Sequence, residues 1–341
     1  MAIRNELMDR IAVLNSQIKE NVTLLTTVVR GVGRENAIKR WIEFHSQFGI
    51  PLVVVGDLSE EDVVSSSCVR LISTDNSLSL DEKMWLGLKN VHTPYVAWVA
   101  DDDFILGMML EEATATLLCD KEVVACDGMN IFVEERTGKR VNQAYSVKQF
   151  IALRRAKGGG MRERLVAYAE NFAPMALHGL LRKEVLEEAV SMGSKVPARW
   201  GDNVCMAVVL SKGRIAMMSG ISNIRSHGTR IIVHAKALHF DSDIPKEALI
   251  LDRSLKEKLL SLFFAETTPK LYAAVEYYLL RSSGAFSGSQ AQGGIAASLQ
   301  QLWLGFCGWF LYMRWYLTNK RFRSEMRKIR SLVRDYPIGL N

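Results

Sequence analysis

The sequence predicts an α/β protein: a mostly parallel sheet flanked on both faces by helices, with a helical C-terminal extension. Three observations carry that prediction. Short, nearly all-apolar runs alternate with helix-periodic segments, the pattern of strands buried on both faces. Polar residues collect where those runs end, which is where open α/β sheets bind ligands. A stretch rich in Gly, Ser, Gln and Ala over 284–294 then separates this part from the last helices.

The elements follow in order. Ile3, Leu7, Ile11, Leu14 and Ile18 recur every three or four residues, an amphipathic helix over 1–20 whose stripe packs on its own domain or pairs with a second copy. Val22–Val29 reads as a buried strand and Arg34–Phe48 as a helix with Ile38, Trp41, Ile42 and Phe48 on one face. Pro51–Val55 is a second strand ended by Gly56-Asp57, and Val69–Ile72 a third. Leu80–Asn90 is helical, and Pro94–Ala100 is a fourth strand running straight into Asp101-Asp102-Asp103. Glu122–Cys126 is apolar again, Gly158–Gly160 marks a hinge or loop, and helices resume at Arg162–Asn171 and Asp202–Leu210. The boundaries expected are a catalytic domain over 21–240 and a helical C-terminal region over 241–341.

Composition narrows the class. The chain has 341 residues, 48% hydrophobic and 23% charged, enough to bury a core without disulfides. Its five cysteines are scattered with no C-x-x-C pair, which fits a reducing compartment and argues against a zinc ribbon. No secretory signal opens the sequence and no run of about 18 apolar residues suggests a membrane span. A cytoplasmic location is therefore expected.

Three consecutive aspartates at the end of a buried strand need a physical reason. Carboxylates packed together repel and resist ionisation unless a cation joins them. A hard divalent ion such as Mg²⁺ or Mn²⁺ accepts one or two carboxylates and fills its other positions with water and phosphate oxygens. An acidic turn that merely ends a strand is the bland alternative. Strand ends carry further polar residues at Thr26–Arg34 and at Asp57, converging on the same region.

A resemblance sharpens this. Asp81-Glu82-Lys83, Thr93-Pro94-Tyr95-Val96 and Ala100-Asp101-Asp102-Asp103-Phe104-Ile105 resemble bacterial GT-A glycosyltransferase domains similar to the family-2 inverting enzymes of surface-polysaccharide synthesis. Weaker likenesses at Leu24–Arg34, Arg162–Leu165 with Tyr168, and Leu180–Glu184 extend it over residues 22–228. The resemblance implies a Rossmann-like GT-A sheet and transfer of a sugar from a nucleotide-diphosphate donor to a glycan or lipid-linked acceptor. It places Asp101 and Asp103 on the metal, with Asp101 and Asp102 also at the donor. Asp57 would meet the base, Thr26, Arg30 and Arg34 would line the nucleotide, and Lys83 would face the donor. Asp202, which alone reads as a helix N-cap, takes the place of the base that deprotonates the acceptor hydroxyl. His227 is a further candidate metal ligand, and Arg225 a candidate stabiliser of the departing diphosphate.

The end of the chain suggests a surface partner. Leu302–Met313 is a twelve-residue apolar run rich in aromatics, too short to span a bilayer. From Arg314 to Arg334 there are eight Lys/Arg against the single acid Glu325. The segment over 296–335 thus reads either as an interfacial membrane-surface element, on the inner face of the cytoplasmic membrane, or as helices packed on the catalytic domain. A sugar nucleotidyltransferase is the alternative enzyme, of whose Gly-rich loop only Gly31-Val32-Gly33-Arg34 is present. A non-enzymatic scaffold is the third reading, and no nucleic-acid motif accompanies the basic tail.

Overall fold

The computed structural model describes residues 16–28, 34–59, 66–75, 77–134, 160–161, 163–165, 177–194, 198–227, 306, 309–310 and 312–336, the side chains of 198–203, 226 and 227 excepted. The other residues, among them most of the N-terminal amphipathic stripe, the expected hinge at 158–160 but for Gly160, and the linker at 284–294, lie outside this description.

Eight strands form one sheet: β1 (Val22–Val28), β2 (Leu52–Gly56), β3 (Val69–Ser73), β4 (Tyr95–Trp98), β5 (Phe104–Ile105), β6 (Val123–Glu134), β7 (Leu180–Arg182) and β8 (Arg214–His227). Their order is β3-β2-β1-β4-β7-β6-β8-β5. The β1–β2, β2–β3, β1–β4 and β6–β8 pairs are parallel. The short β7 runs antiparallel to both β4 and β6, and β5 antiparallel to β8. The mostly parallel α/β sheet read from the apolar runs is therefore present, with a mixed far half that those runs did not foretell.

Alternate side chains of each strand enter opposite cores, as the two-residue period requires. Leu25, Val53, Val55, Val96 and Trp98 pack beneath α2 (Leu80–Lys89), α4 (Lys183–Gly193) and α5 (Ala198–Lys212). Leu24, Val28, Leu52, Val54, Tyr95 and Ala97 face α1 (Arg34–His45), α3 (Gly107–Cys119) and α6 (Lys320–Asp335). Ile18 is buried in this second core, so the end of the N-terminal stripe packs on its own domain.

Local chemistry explains the boundaries. α1 tightens into a 3₁₀ turn over Ser46–Phe48 and stops at Gly49, whose φ of 63° is left-handed. α2 opens on a reciprocal capping box: Glu82 N–H donates to Ser79 Oγ at 3.3 Å, and Ser79 N–H to Glu82 Oε2 at 2.7 Å. Gly87 lets α2 approach β1 and β2, since a Cβ there would stand 3.0 Å from Val55 Cγ2.

α3 has no side-chain cap of its own, its N-cap position being Leu106. Its Gly107 N–H instead donates to Glu325 Oε2 at 3.1 Å, a carboxylate on α6. Phe322, Met326, Ile329, Leu332 and Val333 of α6 are buried in the second core. Each such side chain is worth about 1.5–3 kcal/mol, so together they rival the net stability of a domain, about 5–15 kcal/mol. The basic helix is thus an integral layer of the fold. No described helix is long and apolar enough to cross a membrane.

Candidate functional site

The topology gathers the singled-out residues at one edge of the sheet. β1, β2 and β4 run parallel, so Val28, Asp57 and the aspartates after β4 emerge together. β7 runs the other way, so the residues before it, including His178, lie at that edge as well. β6 and β8 run in the direction of β4, which brings Arg225 and His227 there, and α5, leading into β8, begins there with Asp202.

Val99 N–H donates to Leu25 O at 2.9 Å, carrying the ladder one residue past β4, and Asp103 N–H closes a turn onto Ala100 O at 3.0 Å. Asp101 and Asp103 are buried and Asp102 half-buried. Arg34, the first residue of α1, pairs with Asp101 through Nη1 and lies 3.9 Å from Asp102. Arg225 Nε donates to Asp103 Oδ2 at 2.8 Å. Two arginines from distant elements therefore each hold one aspartate. Burial pushes the Asp101 carboxyl up to about 7, against the pull of Arg34, with repulsion from its neighbours adding to the rise. Asp101 Oδ2 is buried and without a hydrogen-bond partner among the described residues.

Behind this loop stands His45. Its Nδ1 lies 2.8 Å from Trp41 O, and its Nε2 accepts the Ile105 N–H at 3.2 Å. A carbonyl only accepts, so Nδ1 carries the proton and the ring is neutral, in keeping with burial that lowers it to about 3. The helix that presents Arg34 is thereby tied to the strand that follows Asp103. No partner pattern in the sequence points to this contact.

The other expected site residues are placed as follows. Thr26 is buried within β1, and its Oγ1 has no partner among the described residues. Asp57 is half-buried just past β2. Lys83, expected to face the donor, is buried, and its Nζ donates to Val28 O at 3.3 Å. Burial lowers its pKa while Asp57 and Asp75 pull it back up. Asp202 lies in the first turns of α5 and His227 ends β8, but both side chains are outside the description, as is Arg30 altogether. Arg182 serves the fold: it donates to Val123 O at 2.9 Å and to Leu117 O at 2.8 Å, closing the carboxyl end of α3.

Sequence reasoning missed a ring stack within reach of the Arg225 charge. The His178 ring stacks on Trp98, centroids 5.0 Å apart and planes 26° from parallel. Its Nδ1 lies 3.3 Å from Trp98 O, while Asn223 Nδ2 donates to His178 O at 3.3 Å. Burial, and then the Arg225 charge, lower His178 to about 3. Its one signal in the sequence is Gly179, whose Cβ would crowd Asp127 Cβ at 3.1 Å, and this close approach becomes visible only in three dimensions.

Among the described residues no three His, Cys, Asp or Glu side chains form a ready-made metal cage. The acid loop fits a different kind of ion, one that takes one or two carboxylates and keeps its waters. Asp101 Oδ2, buried and unpartnered among the described residues, is an acceptor suited to such an ion.

No model of a known protein family matches the chain, and neither does any curated protein. Among solved structures, the fold is that of GT-A glycosyltransferases. The chain is similar to Staphylococcus aureus TarS 1–349 in complex with UDP-GlcNAc, at 11% identity, TM-score 0.50, over 93% of this chain and 91% of that one. It is also similar to a mannosyltransferase from Pyrobaculum calidifontis in complex with GDP-Man and Mn²⁺, at 12% identity and TM-score 0.42, over 92% and 85%. A third is glucosyl-3-phosphoglycerate synthase from Mycobacterium tuberculosis in complex with Mn²⁺ and UDP-Glc, at 13%, 0.40, 67% and 78%. The fold assignment rests on the first of these.

Proposed function

We propose that the protein is a metal-assisted glycosyltransferase that moves a sugar from a nucleotide-diphosphate donor to a hydroxyl of a glycan or lipid-linked acceptor. The observation that carries this reading is the pair of buried aspartates at the end of β4, each held by an arginine on a GT-A sheet. The residues fit the roles. Asp101 and Asp103, with His227 as a further candidate, would hold Mg²⁺ or Mn²⁺, which neutralises charge developing on the diphosphate. Arg34 and Arg225 place two fixed cations beside the same loop, where the diphosphate oxygens need them. Thr26 in β1 and Asp57 just past β2 would line the nucleoside, with Arg30, two residues after β1 in sequence, as a further candidate, and buried Lys83 fixes the backbone at Val28.

The transfer balances with one base. Asp202 takes the acceptor hydroxyl proton as that oxygen bonds to the anomeric carbon, and the carbon–oxygen bond to the diphosphate breaks with its electron pair leaving on the nucleoside diphosphate. Attack opposite the leaving group inverts the anomeric centre. A role in surface-polysaccharide synthesis follows from the family resemblance. Phe306, Trp309, Phe310 and Leu317 are exposed, with exposed Arg314 and Lys320 close by in sequence. That mixture supports contact with an anionic membrane surface on the inner face of the cytoplasmic membrane, where a lipid-linked acceptor would reside.

The test is Asp103→Ala in the full chain, assayed against UDP-, GDP-, CMP- and dTDP-sugars. Transfer and metal-dependent nucleotide binding are expected to vanish while far-UV circular dichroism stays that of the parent. Undiminished transfer would remove the assignment, and pyrophosphate release from a nucleoside triphosphate would establish the nucleotidyltransferase instead.

A further inference from the structure

We propose that the Trp98–His178 shelf is the subsite for the transferred sugar, with His178 Nε2 accepting a hydrogen bond from a hydroxyl of the donor's glycosyl group. The inference rests on the donor reading above and deepens it.

The geometry fixes what His178 can do. Nδ1 faces the Trp98 carbonyl, which can only accept, so Nδ1 carries the proton. The ring is neutral at physiological pH, because burial and the Arg225 charge both oppose protonation. Nε2 is then a bare lone pair, and among the described residues nothing donates to it. An acceptor with a fixed direction recognises a ligand rich in hydroxyl donors, which describes a sugar and not a diphosphate, whose oxygens only accept at this pH.

The shelf is also built to hold still. The ring stacks on Trp98, whose Nε1 donates to Thr27 Oγ1 at 3.4 Å. Asn223 grips the His178 backbone carbonyl, and two residues on along β8, on the same side of the strand, Arg225 holds Asp103. The imidazole is thus fastened through β8 to the loop proposed to hold the diphosphate. A group bonded to that diphosphate has the shelf as its neighbour. Trp98, buried in the core, backs the half-buried His178 ring, which supplies flat surface for the C–H face of a sugar ring, and Nε2 supplies the polar contact.

Three variants separate the possibilities. His178→Phe keeps the ring on Trp98 and removes Nε2; His178→Gln places an amide near the Nε2 position; His178→Asn restores only the inner bond. Calorimetry with Mn²⁺ present would compare UDP and GDP with UDP-GlcNAc, UDP-Glc and GDP-Man. We expect the Phe and Asn variants to bind the parent's preferred nucleotide-sugar about tenfold more weakly, with nucleoside diphosphate affinity changed less than about twofold. The Gln variant should recover part of the loss. In parallel, ¹⁵N spectra of the parent should show Nε2 unprotonated and its signal moving with the nucleotide-sugar but not with the nucleotide. Equal weakening of nucleotide and nucleotide-sugar would make His178 a structural residue and overturn the proposal. So would unchanged donor affinity with a raised acceptor KM. If the parent binds no nucleotide-sugar, the donor reading itself fails; if it binds one and His178→Phe binds it equally, only the subsite is lost.

Discussion

Asp101 and His45 show how one acid loop draws on opposite kinds of residue. Asp101 announces itself in the sequence, because an apolar strand that runs into three carboxylates breaks the ordinary pattern of burial. His45 does not, because a buried histidine is defined by the atoms on both sides of its ring, and those come from Trp41 and Ile105, sixty residues from His45 in the second case. The same holds for His178, Trp98 and Asn223. These two histidines carry a pH consequence. His45 and His178 fall from an ordinary 6.5 to about 3 in the folded chain. The unfolded chain therefore binds more protons between those values, so their contribution to stability is full above about pH 6.5 and is lost as pH falls toward 3. The loss runs at roughly 1 kcal/mol per pH unit for each ring. Urea midpoints of the parent should drop between pH 6.5 and 5, and His45→Gln should show a shallower drop from a lower starting stability. An equally steep drop in that variant would place the titration elsewhere.

At the scale of elements, those with strong local signals were legible. β1, β2, α1 and α2 matched their apolar runs and periodicity to within a few residues, because flanking Gly49, Gly56 and Asn90 mark their ends. α3, α4 and the short β7 were not read from the sequence. α3 starts at a glycine after a leucine with no capping side chain, and its cap arrives from Glu325, 218 residues away. β7 has three residues, too few to show a period. β6 proved longer than its apolar run, since bulges around Asp127–Asn130 carry its pairing with β8 past polar positions. The borrowed cap is testable. Glu325 is buried, accepts from Gly107 and pairs with Arg321 Nε at 3.0 Å. Glu325→Ala should cost about 1–3 kcal/mol in chemical denaturation, the penalty for a buried donor left unmet. A change within about 0.5 kcal/mol would mean that the Gly107 N–H finds another partner.

For the whole molecule, the α/β class and the strand-end convergence that marks the candidate site were legible together, because apolar strands and the polar residues at their ends are two faces of one pattern. The C-terminal region could be divided only in three dimensions. The strongly basic helix α6 buries its apolar face in the domain, and the aromatic residues before it stay exposed. If the membrane reading holds, flotation with vesicles containing anionic lipid should carry the full chain upward, and the double variant Trp309→Ser/Phe310→Ser should leave most of it behind. Equal flotation of both would move the contact away from these side chains. The link from Gly107 to Glu325 also sets an order of events during synthesis. The ribosome makes the aspartates early, but the carboxylate that caps the helix behind them comes 218 residues after Gly107, the first residue of that helix. A nascent chain can complete β1 to β4 and still hold its acid loop against an unfinished helix. Competence at that loop is therefore expected to appear late, as Lys320–Asp335 clears the exit tunnel and docks.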